Sequence, residues 1–262
     1  MDLNKVRDFE EHRWSEVGDF GQRTETSDSN KQNNMKSVKL VVFDMAGTTV
    51  RDRGNVANAF IEACKEYGID MPLEDVKKVM GFRKIDAIRM LLDKKELNDG
   101  IAKEELIETI HDSFTKKMIR FYETDTELSP LPHAEETFSW LKERGVKIAL
   151  NTGFTRAITD AILNRLQWKN SPSIDFVITS DEVPEGRPEP YMIQAIMKEL
   201  EVADAESVVK IGDTEVDVKE GRSAGCGLVV SVTTGAYTRT QLEQYHPDKI
   251  IDSLSELPSL IQ

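Results

Sequence analysis

The sequence predicts an α/β fold, a doubly wound parallel sheet with an all-helical block inserted after its first strand. Three observations carry that expectation. Short apolar, β-branched runs recur, beginning with KLVVFD at 39–44, and runs of this kind suit parallel strands buried on both faces. From residue 146 onward they alternate with amphipathic helical stretches, the pattern of βαβ units. Between the first run and the others, from about residue 55 to 123, apolar residues recur at helical spacing and no strand interrupts them. At 262 residues the chain is long enough for one large domain, or a core with an insertion, to fold without disulfides or a structural metal.

Taken in order, residues 1–37 are polar, include TETSDSNKQNN and offer few aliphatic side chains, so they read as a flexible tail with no assignable role. The α/β core is expected over 38–50 and 128–262, and the helical cap over 51–127. VANAFIEACKEYG, LEDVKKVMG, KIDAIRMLLDKK and AKEELIETIHDSFTKKMIRFY are the helical stretches of the cap. SPLPHA (129–134) marks the return to the core, where the helix EETFSWLKERG leads to the strand VKIALNTG (146–153). A helix from about 155, the strand IDFVITSD (174–181) and the helix PYMIQAIMKEL follow. The strand SVVKIGD (207–213), the helix TEVDVKEGRSAG and the strand GLVVSVTTG complete the alternation.

Composition narrows the function. With 34 Lys+Arg against 47 Asp+Glu the formal charge is −13, and the sequence pI near 4.9 argues against nucleic acid and anionic membranes as partners. The N-terminus MDLNKVRDFEEHRW has no apolar stretch of signal-peptide length, and no run long enough to cross a bilayer occurs, so a cytoplasmic protein is expected. Cys64 and Cys226 cannot form a disulfide framework or a CxxC metal site, and read as buried thiols. His12, His111, His133 and His246 show no ligand spacing and read as surface residues; only His133, near the junction of core and cap, merits watching.

In open α/β sheets ligands bind outside the carboxyl ends of the strands. Those ends carry Asp44, then Asn151-Thr152-Gly153, then Ser180-Asp181 before EVPEGRPEP, and finally Gly212-Asp213 with Asp217 four residues on. Single aspartates at strand–helix turns are usually helix caps. As a set they suggest carboxylates converging on a divalent cation, and few hard oxygen ligands favour Mg²⁺.

DMAGTTV, NTG, GRPEP and GDTEVD resemble the four ordered motifs of the haloacid dehalogenase superfamily, spread over residues 39–232. The resemblance implies that Asp44 is the nucleophile forming an aspartyl-phosphate. It implies Mg²⁺ bound by Asp44, the Ala46 carbonyl and Asp213, with Asp217 beside them. It also implies phosphoryl binding around Gly47, Thr48, Thr152, the Gly153 amide and Arg187, in keeping with a reaction that needs positioning and positive charge.

Two features narrow the resemblance. Most phosphatases of the superfamily carry an aspartate two residues after the nucleophile as acid and base, where this sequence has Ala46. The usual lysine of the third motif is Arg187, which can grip two phosphoryl oxygens at once. DxAGTT and GRPxP together resemble the phosphonatase branch. MGFRKIDAIRML (80–91) resembles that branch's cap segment MGxxKxxxxR through Met80, Gly81, Lys84 and Arg89, which implies Lys84 as the lysine that forms a Schiff base with a substrate aldehyde. Attack at phosphorus would expel a carbanion; a protonated imine turns it into an enamine, doing for a C–P bond what the missing aspartate would do for an ester. Arg83 beside it could meet the phosphonate or depress the lysine's pKa. The branch's histidine three residues beyond the lysine is Ala87 here, its tyrosine after the second-motif glycine is Phe154, and its cysteine between Asp44 and Cys64 is absent.

The expectation is a Mg²⁺-dependent hydrolase of a small anionic 2-oxoalkylphosphonate such as phosphonoacetaldehyde, dimeric through its cap by resemblance. The alternatives are a phosphatase of small phosphate esters with no imine step, and a catalytically weak regulatory or interaction protein on the same fold. The acidity is no obstacle, because Mg²⁺, Arg187, Lys84 and backbone amides would make the cleft locally positive.

Overall fold

The computed structural model describes residues 37–95 and 101–261. The tail expected over 1–37, with His12, therefore lies outside the described residues except for Ser37. Six strands form one sheet: β1 (Leu40–Asp44), β2 (Lys147–Thr152), β3 (Phe176–Thr179), β4 (Val208–Gly212), β5 (Leu228–Val232) and β6 (Lys249–Ile251). Every pairing is parallel and the order is β3-β2-β1-β4-β5-β6. β1, β4 and β5 are buried along their whole length, as a sheet covered on both faces requires. Alternation sorts their side chains: Val41 and Phe43 join one core cluster, Leu40 and Val42 the other. β6 is the strand the sequence does not announce; it has three residues, opens on an exposed lysine and lies at the sheet edge, too short to show a period.

Helices α1 (Asn55–Lys65), α2 (Leu73–Lys77), α3 (Lys84–Asp93) and α4 (Ile101–Thr124) lie between β1 and Pro130. Single bridges from Val50 to Ala46 and to Pro130 hold the two crossings of the chain side by side. The remaining helices, α5 (Ala134–Glu143), α6 (Arg156–Arg165), α7 (Tyr191–Glu199), α8 (Glu215–Ser223), α9 (Arg239–Glu243) and α10 (Leu257–Leu260), follow the strands. The inserted helices share a continuous apolar cluster with one face of the sheet, including Phe60, Ile88, Leu91, Phe114, Phe154 and Ile158. Phe60 stacks on Phe114 at 4.4 Å, and Tyr122 meets Phe154 edge-on at 6.0 Å, so α4 packs against the loop after β2. No helix among the described residues is long and apolar enough to cross a membrane.

This topology fixes where a ligand can go. From β1 the chain steps to β2 and β3 on one side and to β4, β5 and β6 on the other, so the sheet switches direction between β1 and β4. The crevice beyond their carboxyl ends is the binding position of doubly wound folds.

Candidate active site

Asp44 ends β1 in register with Asn151 of β2, and Phe43 pairs with Ile211 of β4, two residues before Asp213. Parallel pairing therefore brings Asp44, Thr152 and Asp213 to one rim, although 169 residues separate the two aspartates. A narrow pocket opens there, lined by Asp44, Ala46, Thr152, Gly153, Arg187 and Asp213 from the core side and by Asp52, Met80, Gly81 and Lys84 from the inserted segment. Of the other expected residues, Thr48 Oγ1 donates to Asp213 Oδ1 at 3.4 Å, and the Gly47 carbonyl accepts from Thr234 Oγ1 at 2.7 Å. Both stand directly behind the rim.

The carboxylates are not alike. Burial raises the pKa of Asp44, and the repulsion of Asp217 adds to it, against the pull of Arg187 and Lys210. Asp213 is pushed well above the usual range by burial and by Asp44 and Asp217, although the Ala236 amide donates to its Oδ2 at 2.6 Å. Burial works against ionisation of Asp217 too, but Arg187 and Lys210 outweigh it and hold this carboxyl down at about 2. Arg187 Nη1 donates to Asp44 Oδ1 at 2.7 Å and also to Asp217 Oδ1. Its Nε is buried with no hydrogen-bond partner.

Among the described residues no three His, Cys, Asp or Glu side chains gather as a metal cluster. The hard donors at the rim are the Asp44 and Asp213 carboxylates, with the Ala46 carbonyl in the same pocket. Two carboxylates and a carbonyl suit a Mg²⁺ ion that keeps several of its waters. The raised pKa values fit as well, because a divalent cation would relieve the mutual repulsion that burial intensifies.

Lys84, the first residue of α3, is 4% exposed. Its Nζ donates to the Phe82 carbonyl at 3.3 Å and lies 5.1 Å from the Phe154 ring centroid and 5.7 Å from that of Phe60. Burial, reinforced by the Arg187 charge, lowers its pKa to about 8, although Asp44, Asp52 and Asp213 pull the other way. Backbone contact seats the loop carrying it. A Cβ on Gly153 would stand 2.3 Å from the Phe82 carbonyl oxygen, and one on Gly81, whose φ is +84°, would stand 2.4 Å from Thr214 Oγ1. Only glycine lets the 80–83 loop approach the strand ends so closely. Arg83 adds a tie by donating to the Pro184 carbonyl at 3.1 Å, an anchoring use of a side chain that the sequence suggests for the substrate or the lysine.

Other residues stand apart. Arg89 pairs with Asp86 at 2.9 Å and with Glu104 at 3.0 Å, fastening α3 to α4 outside the pocket. His133 is exposed and does not line the pocket, and His111 is half-buried rather than on the open surface. Cys64 and Cys226 are free and buried, and burial pushes their thiols up to about 11 and about 12. The sequence reading missed two charged groups. Lys210, in the middle of β4, is fully buried and reaches Asn151 Oδ1 at 2.6 Å, Asp217 at 3.1 Å and Glu220 at 3.1 Å. A lysine inside an otherwise apolar strand was the available signal, since a buried charge needs partners. Asp52 lines the pocket from the inserted segment and resembles an ordinary helix-capping aspartate in sequence.

Known proteins resemble the chain in sequence and in fold. The sequence profile of haloacid dehalogenase-like hydrolases matches residues 38–225. Phosphonoacetaldehyde hydrolase of Parabacteroides distasonis is 31% identical over 260 residues, covering 87% of this chain and 97% of that protein. The bifunctional phosphonoacetaldehyde hydrolase/aminoethylphosphonate transaminase of Clostridioides difficile is 39% identical over 204 residues, which are 75% of this chain but 32% of that longer protein. Among solved structures, a phosphonoacetaldehyde hydrolase-like protein from Oleispira antarctica superimposes with a TM-score of 0.74 at 23% identity, covering 89% of this chain and 95% of that one, a likeness of fold. From the converging strand ends, the helical insertion and these relatives together, the chain belongs to the haloacid dehalogenase-like hydrolases, in their phosphonoacetaldehyde hydrolase-like branch.

Proposed function

We propose that the protein is a Mg²⁺-dependent hydrolase that cleaves the C–P bond of a 2-oxoalkylphosphonate such as phosphonoacetaldehyde. The observation that carries this reading is Lys84, a buried lysine with its pKa lowered to about 8, in the same pocket as Asp44. An amine near neutrality is what imine formation needs, and burial beside a second cation is a recognised way to obtain one. The curated relatives named phosphonoacetaldehyde hydrolase support the substrate class.

Each residue then has a defined task. Lys84 Nζ condenses with the aldehyde to a protonated imine and releases water. An Asp44 oxygen attacks phosphorus, and the C–P electron pair moves into the carbon framework as an enamine on Lys84. Protonation of that enamine carbon and hydrolysis of the imine release acetaldehyde, and water splits the aspartyl-phosphate to return Asp44 and inorganic phosphate. Arg187 holds the phosphonate, whose oxygens would satisfy the unpartnered Nε. Thr152 and the Gly153 amide receive the remaining oxygens. Bound Mg²⁺, held by Asp44, Asp213 and the Ala46 carbonyl, would neutralise anionic charge as the carboxylate and the phosphonate approach each other. The inserted helices act as a cap that keeps bulk water from the phosphoenzyme.

Turnover tests the reading. Phosphonoacetaldehyde should yield equimolar acetaldehyde and phosphate, and Lys84→Arg, which stays charged, should abolish this. If p-nitrophenyl phosphate or sugar phosphates turn over, phosphonoacetaldehyde does not, and Lys84→Arg changes nothing, the protein is a phosphate-ester phosphatase.

A further inference from the structure

Imine formation moves two protons from the lysine nitrogen to the carbonyl oxygen, and Lys84 stands in a pocket with few groups able to carry them. Its Nζ donates to a carbonyl and is flanked by the Phe60 and Phe154 rings. One turn along α3, the position three residues on is Ala87, fully buried and without a titratable group. Asp44, Asp213 and Arg187 are committed to phosphorus and the metal in the reading above. That leaves Asp52, which lines the same pocket and whose negative charge favours the protonated form of Lys84. The Asn55 amide donates to Asp52 Oδ1 at 2.8 Å, which fixes the carboxylate at the start of α1. Burial raises its pKa above the ordinary aspartate value, which suits a group that must both take and give a proton.

We propose that Asp52 is the proton carrier of the imine half-reaction, an inference that rests on the phosphonate reading. Through one bridging water, the Asp52 carboxylate takes a proton from the Lys84 ammonium, and the freed nitrogen pair forms the C–N bond as the carbonyl pair moves to oxygen. Asp52 returns that proton to the oxygen. It then takes a second proton from the nitrogen and gives it to the hydroxyl, which leaves as water with its C–O pair while the nitrogen pair closes the C=N bond. The carboxylate ends ionised and facing the iminium.

The test is the rate at which borohydride traps enzyme and phosphonoacetaldehyde as a reduced adduct on Lys84, read by mass spectrometry. Asp52→Asn keeps an oxygen for the Asn55 amide but carries no proton, and trapping should slow by roughly a hundredfold or more. Asp52→Ser also offers a helix-capping oxygen and should behave alike. Formate added to Asp52→Ala should restore part of the rate. If Asp52→Asn and Asp52→Ser trap at the wild-type rate and lose only thermal stability, Asp52 is a helix cap and the proposal fails. If the wild-type enzyme forms no adduct while it hydrolyses phosphate esters, the phosphonate reading itself has failed, and this proposal with it.

Discussion

Two buried lysines meet the same physical problem in opposite ways. Lys210, in β4, is surrounded by Asn151, Asp217 and Glu220, and the Glu220 and Asp217 carboxylates raise its pKa despite the cost of burial. Lys84, at the start of α3, has a carbonyl and two aromatic rings, and its pKa falls to about 8. The first is a permanent cation that holds Asp217 ionised behind Arg187. The second gives up its proton far more readily than an exposed lysine does, the condition under which a lysine can act as a nucleophile. One residue type thus takes two protonation behaviours, separated by what surrounds the nitrogen.

Removing each lysine breaks the comparison most directly. Lys210→Met leaves Asp217 and Glu220 without their shared cation, and breaking a buried pair from one side costs about 3–5 kcal/mol. Urea unfolding should show a loss of that size, and turnover should fall as Asp217 stops orienting Arg187. Lys84→Met should do the reverse for stability. A buried lysine whose pKa drops from 10.5 to about 8 destabilises the folded state by roughly 3 kcal/mol wherever both states are protonated. That penalty is complete below pH 8 and fades as pH rises towards 10.5, because the unfolded chain then loses its proton too. The methionine variant should therefore be more stable than wild type at pH 7 and lose this advantage by pH 10.5, while imine trapping disappears at every pH.

A smaller effect sharpens the same contrast from the backbone. Gly153→Ala puts a methyl group against the Phe82 carbonyl, which also accepts from Lys84, so the loop must move away from the strand ends. Overpacking of this kind costs about 1–3 kcal/mol. The urea midpoint should fall by an amount matching that cost, and the KM for phosphonoacetaldehyde should rise roughly tenfold.

How much of this was legible in sequence follows from what sequence spacing encodes. Apolar runs and their alternation with helices announce the sheet and the helical insertion, and parallel strands put their ends at one rim, so Asp44, Thr152 and Asp213 group together from the sequence alone. β6 is too short to carry a period. The partners of Lys210 come from β2 and α8, and pairing across elements leaves no local mark, so its role was invisible even though a lysine inside VVKIG was not. Arg89 is the opposite case: it falls on a motif position, and its guanidinium pairs with Glu104 on the next helix. Asp52 was hidden because an aspartate before a helix has a sufficient local explanation.

The central claim is that Lys84 is a chemically active lysine because it is buried without a carboxylate partner. Borohydride trapping with phosphonoacetaldehyde, followed across pH and mapped by peptide mass spectrometry, tests it most directly. The account predicts a single adduct on Lys84 whose rate of formation rises to half its maximum near pH 8. An adduct spread over exposed lysines, or a Lys84 adduct appearing only as pH approaches 10.5, would contradict it.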